Sequence, residues 1–247
     1  MQTPSLPALL GLSILALGLS VDALHAQEQV EPVFSIWDVE LGQPVTEVPD
    51  ALVAEIACGT AGGPPGQSLA SFADYLSCTP EASGLHEVQF IYDDEQDYIA
   101  RALEVEFRFL QSGTSVYAHP VIVSLLVGPE GIVQGRRIVT DDRASDLERR
   151  TAFTLINNFR AQYNSWSLEC SAIPMQDGEL PVGNQFVHDL CTGQSPDGGT
   201  RIAIEATYLR KRGQIALNQQ TQAVNVGYFE SQTRYEEVLA PYTPAIP

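Results

Sequence analysis

The chain has 247 residues and carries 31 Asp and Glu against 13 Lys and Arg, a formal charge of −18 with a pI near 4.4. Its 44% hydrophobic content and 18% charged content are too apolar for a disordered chain and sufficient for a packed core. So acidic a surface repels nucleic acid and anionic lipid, and no apolar run reaches the ~18 residues of a membrane span.

Residues 8–19 (ALLGLSILALGL) form a twelve-residue apolar block, followed by small residues at Ala23 and Ala26 and then by polar sequence. That order predicts a secretory signal peptide over 1–26, cleaved after Ala23 or Ala26, and a periplasmic or secreted protein with no transmembrane span in its mature form. The chain lacks an Asn-x-Ser/Thr sequon and has twelve Arg to one Lys, Lys211, which points to a bacterial source. In an oxidising compartment the four cysteines read as two disulfides. Cys58 and Cys78 are 20 apart, and Cys170 and Cys191 are 21 apart. Pairing within each half closes the shorter loops.

Along the mature chain, 33–39 reads as a first strand, and Asp50 as the cap of a short helix running to residue 56. The glycine-rich stretch 59–66 (GTAGGPPG) is a disulfide-tethered loop. Leu69, Phe72 and Leu76 share a face if 68–76 is helical. Residues 87–92 alternate as a half-buried strand. The next segment, 93–110, has Asp93, Asp94, Glu95 and Asp97 in its first turn and an apolar stripe of Ile99, Leu103, Phe107 and Leu110, the pattern of a long helix. The continuous apolar run 121–127 suits a strand buried on both faces, and 132–139 returns as its hairpin partner. Ser145 and Glu148 match a capping box for a second long helix, with Leu147, Phe153, Ile156 and Phe159 inward. Residues 166–170, 185–191 and 201–209 read as three more strands, the last two joined by a turn at Asp197-Gly198-Gly199.

The expected fold is therefore α+β: a mainly antiparallel sheet with two long helices, as one domain over 27–217, followed by a Gln/Pro-rich extended arm and tail over 218–247. Each half carries a cysteine pair followed 10 or 11 residues later by a strand. In this spacing, though in no motif, the chain is similar to exported inhibitor-type proteins built of two α+β repeats with one local disulfide each, so the resemblance implies a degenerate two-repeat arrangement.

The chemistry of the sequence is sparse. It contains no G-x-S-x-G nucleophile elbow and no phosphate-binding G-K-[ST]. His86, His119 and His188 lack metal-ligand spacing, and disulfide pairing removes every thiol nucleophile. No catalytic residue, metal or cofactor is implied. The one candidate cluster is basic: Arg136, Arg137, Arg210, Lys211 and Arg212 as an anion or docking patch in a chain whose residues 27–110 hold 16 acids and two bases. The expectation is a non-catalytic binding protein of the cell envelope, with a protein or envelope component as partner. The alternative is a small exported hydrolase with an unmarked carboxylate/His site.

Overall fold

The computed structural model describes residues 34–92, 114–144, 146–217, 224–225 and 227–245. Its strands are β1 (Val53–Cys58), β2 (Ser68–Leu69), β3 (His86–Tyr92), β4 (Ser115–Val116), β5 (His119–Val127) and β6 (Val133–Thr140) in the first half. The second half contributes β7 (Glu169–Ala172), β8 (Glu179–Leu180), β9 (Val187–Gln194), β10 (Thr200–Lys211), β11 (Ala216–Leu217), β12 (Val224–Asn225) and β13 (Glu230–Leu239). Two helices lie between the halves, α1 (Asp146–Arg149) and α2 (Leu155–Gln162).

The apolar run of β5 makes the spine of the first half, with Val121 through Val127 buried on both faces. Gly128 and Gly131 close a tight turn, Gly131 at φ +78°, and β6 returns antiparallel from Val133. In the second half, β9 and β10 form the expected hairpin through the turn at Asp197. The two blocks do not touch edge to edge. The sheet order is β2-β1-β3-β5-β6-β13-β10-β9-β7, antiparallel throughout, so the C-terminal strand β13 lies between them. Gly135 permits its close approach to β6, because a Cβ there would collide with the Glu237 carbonyl.

One face of this sheet carries the main core. Val123, Leu125, Ile138, Ile204 and Tyr235 pack there against Ile36, Val45 and Phe159. The N-terminal segment is pinned across it by Gly42 and Val45 N–H groups donating to the Val133 and Gly131 carbonyls. The opposite face of the first half is covered by the 59–66 loop, the 79–85 loop and residues 240–245.

The α+β expectation is overturned: 42% of the chain is strand, and the helical part does not match two long helices. The predicted helix over 93–110 lies outside the described residues. The second breaks into α1, a 3-10 turn (Ala152–Thr154) and α2. Threonine chemistry breaks it: Thr151 and Thr154 hydroxyls donate to carbonyls three residues back, and the Thr233 hydroxyl of β13 captures the Ala152 carbonyl. Leu147, expected inward, is 76% exposed. The repeat reading falls with it, since Cys58–Cys78 ties β1 to a 3-10 turn whereas Cys170–Cys191 crosses two paired strands.

Three local expectations also change. Residues 36–38 form a 3-10 turn rather than a strand, because Ser35 and Asp38 make a reciprocal capping box. The stretch after Asp50 becomes strand from Val53, and 72–77 is a 3-10 turn capped by Ser71. The expected tail contains β13, at the centre of the sheet. Removing 218–247 is thus expected to abolish the cooperative unfolding transition followed by circular dichroism. A truncated chain that still melts within a few degrees of the full one would contradict this placement.

Candidate functional site

Arg136 and Arg137 are neighbours on β6, and a strand sends adjacent side chains to opposite faces. They face Glu237 and Glu236 of β13 in register. The predicted basic patch therefore does not assemble from these two. Arg137 is 1% exposed and lies on the covered face. Its Nε donates to Glu236 at 2.8 Å, its two terminal nitrogens donate to both Glu81 oxygens at 2.6 and 3.1 Å, and Glu87 approaches at 2.7 Å. Burial pulls the guanidinium pKa down, but the Glu81 hydrogen bonds and the charges of Glu87 and Glu236 outweigh it and raise it. Arg234 completes the cluster, 3.3 Å from Glu236. Burial, then the like charge of Arg137, hold its pKa below the ordinary value.

Two cations thus meet three carboxylates beneath the glycine-rich loop. Glu87 accepts from the Ala61 N–H at 2.7 Å, and Arg234 donates to the Ala61 carbonyl at 2.8 Å. Ala61 is held at φ +59°, a left-handed conformation that costs an L-residue on the order of 1 kcal/mol. Glu236 also accepts from the Ala245 N–H, so the same cluster binds the chain's end. It is a clamp, built of residues that the clamp itself buries.

On the core face, Arg136 lies 3.0 Å from Glu237, donates to the Ile36 carbonyl and stacks over Trp37. Tyr235 donates to Glu237 at 2.9 Å and meets the Tyr163 hydroxyl. Burial first, then the Glu237 charge, raise both tyrosine pKa values.

The remaining predicted cations sit at the far end of β10. Lys211 pairs with Glu230 at 3.0 Å, and Arg210 and Lys211 lie opposite Leu180 and Glu179 of β8. Arg212 follows directly after the strand, so these three stay neighbours along the chain, apart from Arg136 and Arg137, with Arg210 and Lys211 on alternate faces of β10. The histidines do not converge. His86 donates from Nδ1 to the Cys78 carbonyl at 2.7 Å and packs edge-on to Tyr75. His119 lies at the other end of β5, eight residues or roughly 27 Å along the paired strand. It lines a shallow recess with Thr140, Asp141 and Glu148 that has no room for a water-sized sphere, and burial lowers its pKa. His188 bonds Glu205 of β10 at 2.8 Å. The sequence alone marks no partner for His188; the hairpin register supplies it, since Thr207 lies opposite His188 and Glu205 two residues along on the same face. Among the described residues no group of three or more His, Cys, Asp or Glu is arranged to hold a metal, and no helix is long and apolar enough to cross a membrane.

Both expected cysteine pairs are bonded, Cys58 to Cys78 and Cys170 to Cys191. The second braces the outer end of the sheet. β7 is exposed along all four residues and is the last strand of the order. No protein-family model, curated protein or solved structure matches the chain.

The tyrosine pair sets an alkaline limit. A folded pKa above the unfolded value of 10.0 leaves stability fully present below pH 10 and removes it as pH rises further. The melting temperature should fall as pH climbs above 10 in calorimetric scans, and Tyr235→Phe should flatten that fall. Parallel declines in both proteins would contradict the assignment.

Proposed function

We propose that the chain is an exported bacterial protein of the cell envelope, periplasmic or secreted, that works by binding a protein or envelope component rather than by catalysis. Export is supported by the apolar block 8–19 with the small residues Ala23 and Ala26 behind it, and by two disulfides, which persist in oxidising compartments. The observation that carries binding is β7: an exposed terminal strand, stapled to β9 through Cys170–Cys191. Natural sheets blunt such edges with Lys, Pro, bulges, short strands or a covering loop; β7 is short, four residues (ECSA), and carries Glu169 but includes neither Lys nor Pro. Tied to β9 by its disulfide and open along its outer side, it is read as the docking element.

The hydrolase alternative retains one specific observation, the half-buried His188–Glu205 pair, whose His188 Nδ1 is buried without a hydrogen-bond partner. The test separates the two. Full-length chain carrying a photo-crosslinking residue in place of Ser171 is expressed in a bacterium, fractionated and illuminated. Recovery outside the cytosol with both disulfides formed, 1–26 removed and one envelope component crosslinked is the expected result. Cytosolic retention with free thiols would overturn the reading, as would substrate turnover that His188→Gln abolishes.

A further inference from the structure

The ladder between β7 and β9 determines which way each peptide group of β7 points. The Ile173 N–H donates to the His188 carbonyl, and the register continues as Ala172 with Asp189, Ser171 with Leu190, Cys170 with Cys191 and Glu169 with Thr192. Hydrogen-bonded and non-bonded pairs alternate along an antiparallel ladder. Ile173, Ser171 and Glu169 therefore turn their backbone groups toward β9, and Cys170 and Ala172 turn theirs outward. The 4.0 Å Cα separation of Cys170 and Cys191 agrees, since non-bonded pairs are the closer ones. Two residues thus present N–H and C=O groups on the outer side of the sheet, where no strand of the described residues pairs with β7.

Charge says what fits there. No Lys or Arg occurs between Arg160 and Arg201, whereas that interval holds Glu169, Asp177, Glu179, Asp189 and Asp197. The arginines that neutralise acids in the rest of the fold are drawn into the centre of the sheet: Arg136, Arg137 and Arg234 are all buried against glutamates. What lies beside the open β7 edge itself is an acidic rim of Glu169 and Asp189, whereas the turn carrying Asp177 and Glu179 lies against Lys211 and Arg212 at β8. Side chains of a strand added beside Glu169 and Ser171 would run along the face that carries His188 and Glu205; its one β10 arginine, Arg201, is turned to the Pro241 and Tyr242 carbonyls. We infer that β7 accepts an extended, Lys- or Arg-bearing segment of another protein by strand addition, the outward groups of Cys170 and Ala172 providing the hydrogen bonds and the acidic rim selecting the charge. This inference rests on the binding function proposed above and names the partner of that same edge.

The test uses the mature, disulfide-intact chain and two soluble peptides of alternating Lys-Val and Glu-Val sequence. Calorimetry should show the Lys-Val peptide binding at least about tenfold tighter, weakening as salt is added. Its binding should slow hydrogen exchange at the Cys170 and Ala172 amides and not at Ser171, which already faces β9. Ala172→Pro removes an outward donor while leaving the β9 ladder intact, and should weaken binding about tenfold. Glu169→Lys, which leaves the backbone untouched, should do so as well, with melting temperatures confirming that both variants fold. Equal affinity for the two peptides, or unchanged exchange at 170 and 172, would overturn strand addition. An envelope partner whose capture survives Ala172→Pro would overturn it too, while leaving the binding function standing. Failure to capture any envelope partner would instead remove that function.

Discussion

Two adjacent arginines on β6 meet two adjacent glutamates on β13, and the sheet's continuity depends on that meeting. Because the pleat alternates, Arg137–Glu236 lies on one face and Arg136–Glu237 on the other, so a single register satisfies both faces together. A slip of one residue would place Arg137 opposite Glu237 and turn Glu236 and Glu237 to the wrong faces, leaving buried charges unpaired. Buried ion pairs add little net stability over apolar packing, yet breaking one is costly, which makes them good devices for specifying registry. Here they specify how β13 joins two blocks that, among the described residues, share no ladder with each other.

The same charges organise what lies above the sheet. Glu87 and Arg234 seize both backbone groups of Ala61, and Glu236 takes the amide of Ala245, so loop and terminus are fastened by the residues they cover. This concentrates the protein's buried cations in the first half and its centre. The β7–β9 end has none of them, keeps its carboxylates, and is held by a disulfide across strands instead. Among the described residues β7 has no strand on its outer side, and that is the edge to which the proposed partner is assigned.

Local chemistry made part of this legible in the sequence. The hairpins around Gly128–Gly131 and Asp197 were readable because turn residues sit between apolar runs, and the cysteine pairs because each closes within its own half. β13 was not readable: its flanks are rich in Gln and Pro, its own sequence (ESQTRYEEVL) is mostly polar, and its β6 partner lies about 100 residues earlier. The arginine pair was misleading for a related reason. A cluster along the sequence suggests a patch, but strand geometry splits neighbours between faces, and the glutamates that bury them are visible only once β13 is placed. The broken helix at 146–162 likewise needed Thr233 of β13 to explain it. The terminal position of β7 has no local signal; the absence of Lys and Arg from 161 to 200 marks only the charge of that stretch.

Urea unfolding of Arg137→Met compared with the unaltered chain addresses the register lock most directly. Removing the guanidinium strands Glu81, Glu87 and Glu236 together, so the unfolding free energy should drop by roughly 3–5 kcal/mol. A change within about 0.5 kcal/mol, the range of an ordinary surface substitution, would contradict the role given to this residue.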